Sequence, residues 1–316
     1  MKITITQAIN GFKLANQVRR LSPKTVEWYD ANLQRFKKWA LDIHNIESLQ
    51  EVTGIVLRGF FMHLNVEVHA YQNHCFTPQQ QRPLSPNSTL GYHSTASAFF
   101  RWCVREELLE KNPMEKIQRP KIPRKVVPTF SREQIKDMLK ACNDLPEDTS
   151  FRMKAIILFL VDTGVRISEL TSLKMPDLSL EEGRALVMGK GAKQRFVFLG
   201  SSTKRALWRY VSLHRPQTVL GKDFVFLTRN KEPLRMRLVQ DDLRTVGKKA
   251  NVPNVYPHKF RHTAAVQFLR NGGNIFALQK LLGHTTLEMV RRYVELASDD
   301  VEKAHQTASP ADNWNL

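Results

Sequence analysis

Between positions 119 and 131 the chain reads RPKIPRKVVPTFS, three prolines and four cations with no helical period. Prolines fix their own φ, carry no N–H and push the preceding residue out of the helical region, so no helix or central strand runs through this stretch. It reads as a linker, which forces a two-domain arrangement: residues 1–118, a linker over 119–130, and residues 131–316. A length of 316 residues permits this, since each part can bury a core without disulfides or metals.

The charge is unevenly signed but evenly spread. Lysine and arginine number 48 against 30 aspartates and glutamates, a net charge of +18. A surplus of about eight falls before residue 129 and about ten after it. A basic tail would act as a tether, whereas two basic folded halves suit a polyanion held between them, with nucleic acid the foremost partner. Cys75, Cys103 and Cys142 are isolated thiols without a C-x-x-C pair, so neither a disulfide framework nor a zinc knuckle is expected. His63, His69, His74 and Cys75 match no standard ligand spacing, and no metal site is expected. The longest apolar run, AIILFLV at 155–161, is far short of a membrane span, and MKITITQAINGFK has no signal-peptide core. The expectation is a cytoplasmic, nucleoid-associated protein with no membrane partner.

The first half reads as helices. SPKTVEWYDANLQRFKKWA, 22–40, has a serine cap, a first-turn proline and apolar residues Val26, Tyr29, Leu33, Phe36 and Trp39 at helical spacing, with Lys24, Arg35, Lys37 and Lys38 outward. Further amphipathic stretches cover about 52–68 and 88–109, separated by the polar, proline-bearing loop at 71–87. In the second half, Ser131 and Gln134 form a capping box for SREQIKDMLKAC. Helical segments follow at about 150–163 and 166–174. RALVMGKGAKQRFVFLG, 184–200, reads as a hairpin around Gly-Lys-Gly. Helices return at about 202–214, 236–249, 258–270, 275–282 and 286–305. The expected fold class is mainly α with a small β-hairpin or sheet.

Four segments hold residues that suit chemistry. In DTGVRISEL, Arg166 beside an apolar helix needs an anion, and Glu169 three residues on can orient it or simply pair with it. In PHKFRH, Pro257 opens a helix and sets His258 and Arg261 on one face near its N-terminus, a place suited to an anion. In LLGHTTLEMVRRYVEL, Asn274 caps the preceding helix, Gly283 ends it, and Thr285 with Glu288 would cap the next, holding His284 in the corner. Leu287, Val290 and Val294 make that helix's apolar stripe, with Tyr293 at its edge, so periodicity alone reads Tyr293 as a half-buried core residue.

Taken in order, T-G-x-R-x-S-E-L, G-K-G-x-K-x-R, H-x-x-R-H, L-L-G-H and a tyrosine nine residues after that histidine form a string that resembles the tyrosine recombinase, or phage integrase, family over essentially the whole chain. The resemblance implies a helical core-binding domain followed by a mixed α/β catalytic domain, the two forming a clamp on DNA. It implies catalytic roles for Arg166, Lys190, His258, Arg261, His284 and Tyr293, with Glu169 behind them and Lys193 and Arg195 contacting DNA. Lys193 is a second candidate for the hairpin role given to Lys190. Arg166 and Arg261 would clamp the phosphate with His284 adding a hydrogen bond, His258 would take the phenol's proton, and Lys190 would protonate the departing 5′ oxygen. A free phenol, with a reference pKa near 10, is about a thousandth ionised at neutral pH, so such help is required. The implied activity is site-specific recombination through a 3′-phosphotyrosyl intermediate, without metal, cofactor or ATP, by a homotetramer on two double-stranded DNA sites with accessory bending or directionality factors. Type IB topoisomerases and telomere resolvases share similar residues, and a non-catalytic DNA-binding regulator shares the scaffold.

Overall fold

The structure, a computed structural model, describes residues 2–68, 83–121, 127–189, 191, 193–217, 223–297 and 309. The chain divides into two units, Met1–Lys125 and Val126–Leu316. The expected linker spans this divide, with residues 122–126 outside the described residues, as are 69–82 of the polar loop and its neighbours, including His69, His74 and Cys75.

The described residues of the first unit hold four α-helices: α1 (Ile5–Val18), α2 (Pro23–His44), α3 (Gly54–Val66) and α4 (Pro86–Arg105). Each starts on a side-chain cap. Thr4 and Gln7 form a capping box on α1, and Ser22, Thr53 and Ser85 accept from the backbone at the starts of α2, α3 and α4. Helix α1 goes beyond the helices expected from the sequence; its Ile5, Ala8, Ile9 and Phe12 have helical spacing and are buried. Its Phe12 ring lies 5.5 Å from each of Tyr29, Phe99 and Trp102, so this N-terminal helix completes the aromatic core. The approach is close: a Cβ on Gly11 would fall 3.0 Å from Trp102.

The second unit is built around α6 (Glu147–Thr163), which follows α5 (Arg132–Ala141). Apolar side chains leave α6 on nearly every side, among them Met153, Ile156, Ile157, Phe159 and Leu160, all fully buried, so AIILFLV is a core helix. No helix among the described residues is long and apolar enough to cross a membrane. The segment expected as a helix over 166–174 is a single short turn, α7 (Ile167–Thr171), because the chain then turns to bridge Lys174 with Phe224.

The hairpin belongs to a three-stranded antiparallel sheet, β1 (Leu178–Ser179), β2 (Arg184–Met188) and β3 (Gln194–Phe198), in that order. A two-residue β1 carries too little alternation to be read from sequence. Ala185 pairs with Val197 and Leu186 with Phe196, which turns Ala185, Val187 and Val197 into the core. Helices α8 (Ser201–Arg209), α9 (Met236–Lys249), α10 (Pro257–Arg270), α11 (Ile275–Leu282) and α12 (Glu288–Ala297) complete the unit. Asn274 caps α11 and Gly283, at φ +65°, ends it, as the sequence indicates. Helix α12 begins at Glu288, later than expected, and Thr285 instead points its hydroxyl at Met289 Sδ, 3.9 Å away. Residues expected to extend that helix past 297 lie outside those described.

Candidate functional site

Two sharp chain reversals, at Gly164 and at Gly283, and two helix starts bring the site together. The first reversal ends α6 at Gly164, in the left-handed region at φ +61°. A Cβ there would lie 2.8 Å from Leu282 Cδ2 and 3.2 Å from Ala264, so only glycine lets α10 and the end of α11 approach. Its carbonyl oxygen is then free to accept from Arg261 Nη1 at 2.7 Å. Arg261, one turn into α10 and 3 % exposed, also donates through Nη2 to Leu282 O at 2.7 Å and meets His284 Nε2 at 2.8 Å. A guanidinium only donates, so His284 Nε2 is the acceptor in this contact. Burial pushes the Arg261 pKa down to about 10, with the nearby Arg166 charge acting in the same sense.

The same reversal, the α6–α7 corner, also places Arg166. Arg166 stands at the start of α7 with its backbone N–H donating to Glu169 Oε2 and its Nη1 to Glu169 Oε1, both at 2.9 Å. Glu169 also accepts two bonds from Arg195 of β3, Nη1 to Oε1 at 3.0 Å and Nη2 to Oε2 at 2.8 Å. Burial alone would raise the Glu169 pKa; hydrogen bonds from Arg195 and Arg166 outweigh it and hold the carboxyl below its ordinary range. One carboxylate among Arg166, Arg195 and Arg261 leaves positive charge in excess, which makes the region an anion site.

Tyr293 lies on α12 with its ring 0 % exposed, among Ala265, Val266, Leu278, Leu282 and Val290. The sequence expectation of a half-buried ring is therefore exceeded: the tyrosine is wholly covered. Its hydroxyl is 3.0 Å from His262 Nδ1, and its ring centroid is 6.4 Å from that of His284. Arg261 lies within electrostatic reach of the phenol. In this conformation the phenol faces imidazoles inside the protein and is closed to solvent.

The structure thus brings Arg166, Glu169, Arg261, His284 and Tyr293 into one region. His258 is exposed near the start of α10, its ring 6.3 Å from that of His262. Lys190 lies outside the described residues, and Lys193 is exposed beside the β2–β3 turn, where its carbonyl accepts from Gly189 N. Arg195 is the other side chain expected to contact DNA. It points inward, 12 % exposed, with Nε donating to Leu281 O at 2.7 Å besides its two bonds to Glu169. His262 has no role among those the resemblance implies; its place one helical turn after His258, on the same face, is the signal the sequence offers for it. Among the described residues no group of histidines, cysteines and carboxylates is placed to hold a metal ion.

A mostly helical scaffold with arginines, histidines and a tyrosine gathered in its second unit defines a class of protein built for tyrosine chemistry at an anion. The model of the phage integrase family matches residues 128–299, more than half of the chain, and the chain belongs to that family. It is a tyrosine-type site-specific DNA recombinase. It is similar to the tyrosine recombinase XerC of Oceanobacillus iheyensis, 29 % identical over 302 residues that cover 94 % of this chain and 93 % of that one. Among solved structures it resembles the XerH site-specific recombinase bound to palindromic difH substrate, with a TM-score of 0.70, 20 % identity, and coverage of 99 % of this chain and 85 % of that one. It also resembles a lambda integrase tetramer bound to a Holliday junction, with a TM-score of 0.69, 17 % identity, and coverage of 92 % and 77 %. These two likenesses are of fold.

Proposed function

We propose that the chain cleaves and rejoins double-stranded DNA through a 3′-phosphotyrosyl bond made by Tyr293. The phenol oxygen attacks phosphorus, the 5′ oxygen leaves, and a 5′ hydroxyl from another strand later reverses the step, conserving the bond energy so that no ATP is needed. Arg166 and Arg261 bind the non-bridging oxygens and offset the charge that grows in the transition state, and His284 adds a hydrogen bond. His258 serves as proton acceptor for the phenol, and Lys190, or Lys193 beside it, as donor to the 5′ oxygen. Side-chain cations supply the charge stabilisation that a metal supplies elsewhere. The observation that carries this reading is the meeting of Arg261 with His284 and Gly164 beside Tyr293, joining four separate elements at one point.

Because Tyr293 is covered, α12 must shift before the phenol can meet a phosphate. The lambda integrase neighbour is a tetramer bound to a Holliday junction, which supports a homotetramer on two sites as the working assembly; accessory bending or directionality factors and a nucleoid-associated place in the cytoplasm belong to the same reading. Integration, excision and dimer resolution all use this chemistry. The same burial of Tyr293 favours one second reading, a regulator that binds DNA without cutting it.

A suicide substrate nicked near the cleavage position separates the two readings. The expected result is a covalent protein–DNA adduct that is absent with Tyr293→Phe. Tight duplex binding with no adduct from the wild type identifies the regulator instead. Relaxation of supercoiled plasmid without need for a paired site would point to a topoisomerase.

A further inference from the structure

The side chain of Glu169 is 1 % exposed, and a carboxylate offers about four acceptor positions. All four are taken: two by Arg166, through its backbone N–H and one guanidinium nitrogen, and two by the Arg195 fork. Two guanidiniums share one negative charge, so one positive charge is left over. Arg166 is the more exposed partner, 28 % against 12 % for Arg195, and the surplus therefore faces outward from Arg166. Without Arg195 the same carboxylate would be left to Arg166 alone, and the pair would be close to neutral.

Arg195 does a second thing through its remaining nitrogen. Nε donates to Leu281 O in the last turn of α11, and its guanidinium packs so closely on the corner that a Cβ on Gly283 would lie 3.2 Å from Nη1. The next residue is His284, the partner of Arg261. One side chain on β3 thus ties the Glu169–Arg166 pair to the corner that presents His284, and it stands two residues from Lys193 on the hairpin strand.

We propose that Arg195 is a positioning residue for strand cleavage: it takes up the charge of Glu169 so that Arg166 stays available to the phosphate, and it fixes the 281–284 corner in register with the hairpin. This rests on the reading of Tyr293 as nucleophile. The role differs from that of a DNA contact, which spends its charge on a phosphate, and from that of plain scaffolding, which would not depend on the charge of Glu169.

The test uses the full-length chain and a nicked suicide duplex, measuring duplex affinity against salt and the rate of adduct formation for wild type, Arg195→Gln, Arg195→Lys, Glu169→Gln and the double variant Arg195→Gln with Glu169→Gln. Arg195→Gln is expected to bind duplex as wild type does, with an unchanged salt slope, while forming adduct about 10²-fold more slowly, the scale of loss from a misplaced catalytic group. Removing the charge of Glu169 in that background should restore part of the rate, so the double variant is faster than Arg195→Gln alone. Arg195→Lys, which keeps the charge but not the fork, should fall between Arg195→Gln and wild type, and it carries the test if the glutamine variant does not fold. Weaker binding with a salt slope shallower by about one would make Arg195 a DNA contact and overturn the proposal. Losses that simply add in the double variant overturn it as well, in favour of scaffolding. Absence of adduct from the wild type itself would sink the reading of Tyr293 rather than the arrangement around Glu169.

Discussion

Gly164 shows how much of this site hangs on single atoms. Its positive φ and its nearness to Leu282 leave no room for a Cβ, and its carbonyl holds Arg261. Gly164→Ala is expected to lower stability by about 1–3 kcal/mol in urea unfolding, the range for a residue forced into the left-handed region, and to slow adduct formation because Arg261 and Leu282 move together. Tyr293 was legible as a residue of interest from its place nine positions after His284, yet periodicity described it only as packing. Both descriptions hold: the ring fills a pocket of Leu278, Leu282 and Val290, and the hydroxyl meets His262. His262→Ala removes that hydrogen bond and should reduce stability by about 1 kcal/mol in the same assay, with an unchanged midpoint arguing that the contact holds nothing in solution.

Elements fix where these residues meet. The turn α7 is too short to be stable by itself and is held by Glu169, whose folded-state pKa lies below its ordinary value of 4.5. A carboxyl depressed in this way contributes stability in full above about pH 4.5 and loses it as pH falls through the folded-state pKa. The stability difference between wild type and Glu169→Gln, followed by thermal unfolding, should therefore be constant near neutrality and narrow on acidification below that value. A constant difference down to low pH would show that the ionised carboxylate is not what holds the corner. Helix α1 makes the complementary case in the first unit. Phe12 touches three aromatic rings, and Phe12→Ala is expected to destabilise by about 3–5 kcal/mol, as other large-to-small aromatic substitutions do. The sequence carried α1's cap and spacing in plain view, whereas β1, two residues long, left no pattern to read.

For the whole molecule the dominant property is charge. With a surplus of 18 shared between both units, affinity for duplex DNA should come largely from phosphates and fall with salt. Between 50 and 200 mM salt a loss of about 10³–10⁵-fold is expected for roughly 6–10 phosphate contacts, measured by fluorescence anisotropy on a duplex without a recognition site. Near-constant affinity over that range would mean that the basic surfaces are not the DNA-binding ones. Substitution of Arg195 should leave this slope unchanged while substitution of exposed cations such as Lys24 or Lys38 should flatten it.

The amino-acid order by itself determined the break at the proline-rich stretch, most of the helices, the hairpin, and the order and spacing of the arginines, histidines and tyrosine, because caps, turns and periodicity act over a few residues. Tertiary structure alone decided that Glu169 is shared between its neighbour Arg166 and Arg195, 26 residues further on in β3, that Arg261 closes on a carbonyl 97 residues earlier, and that the phenol is covered. Those outcomes depend on which donor is left nearest to which acceptor once the cores have closed. Burial then makes each pairing obligatory, since an unpaired charge inside a protein is far more costly than one in water.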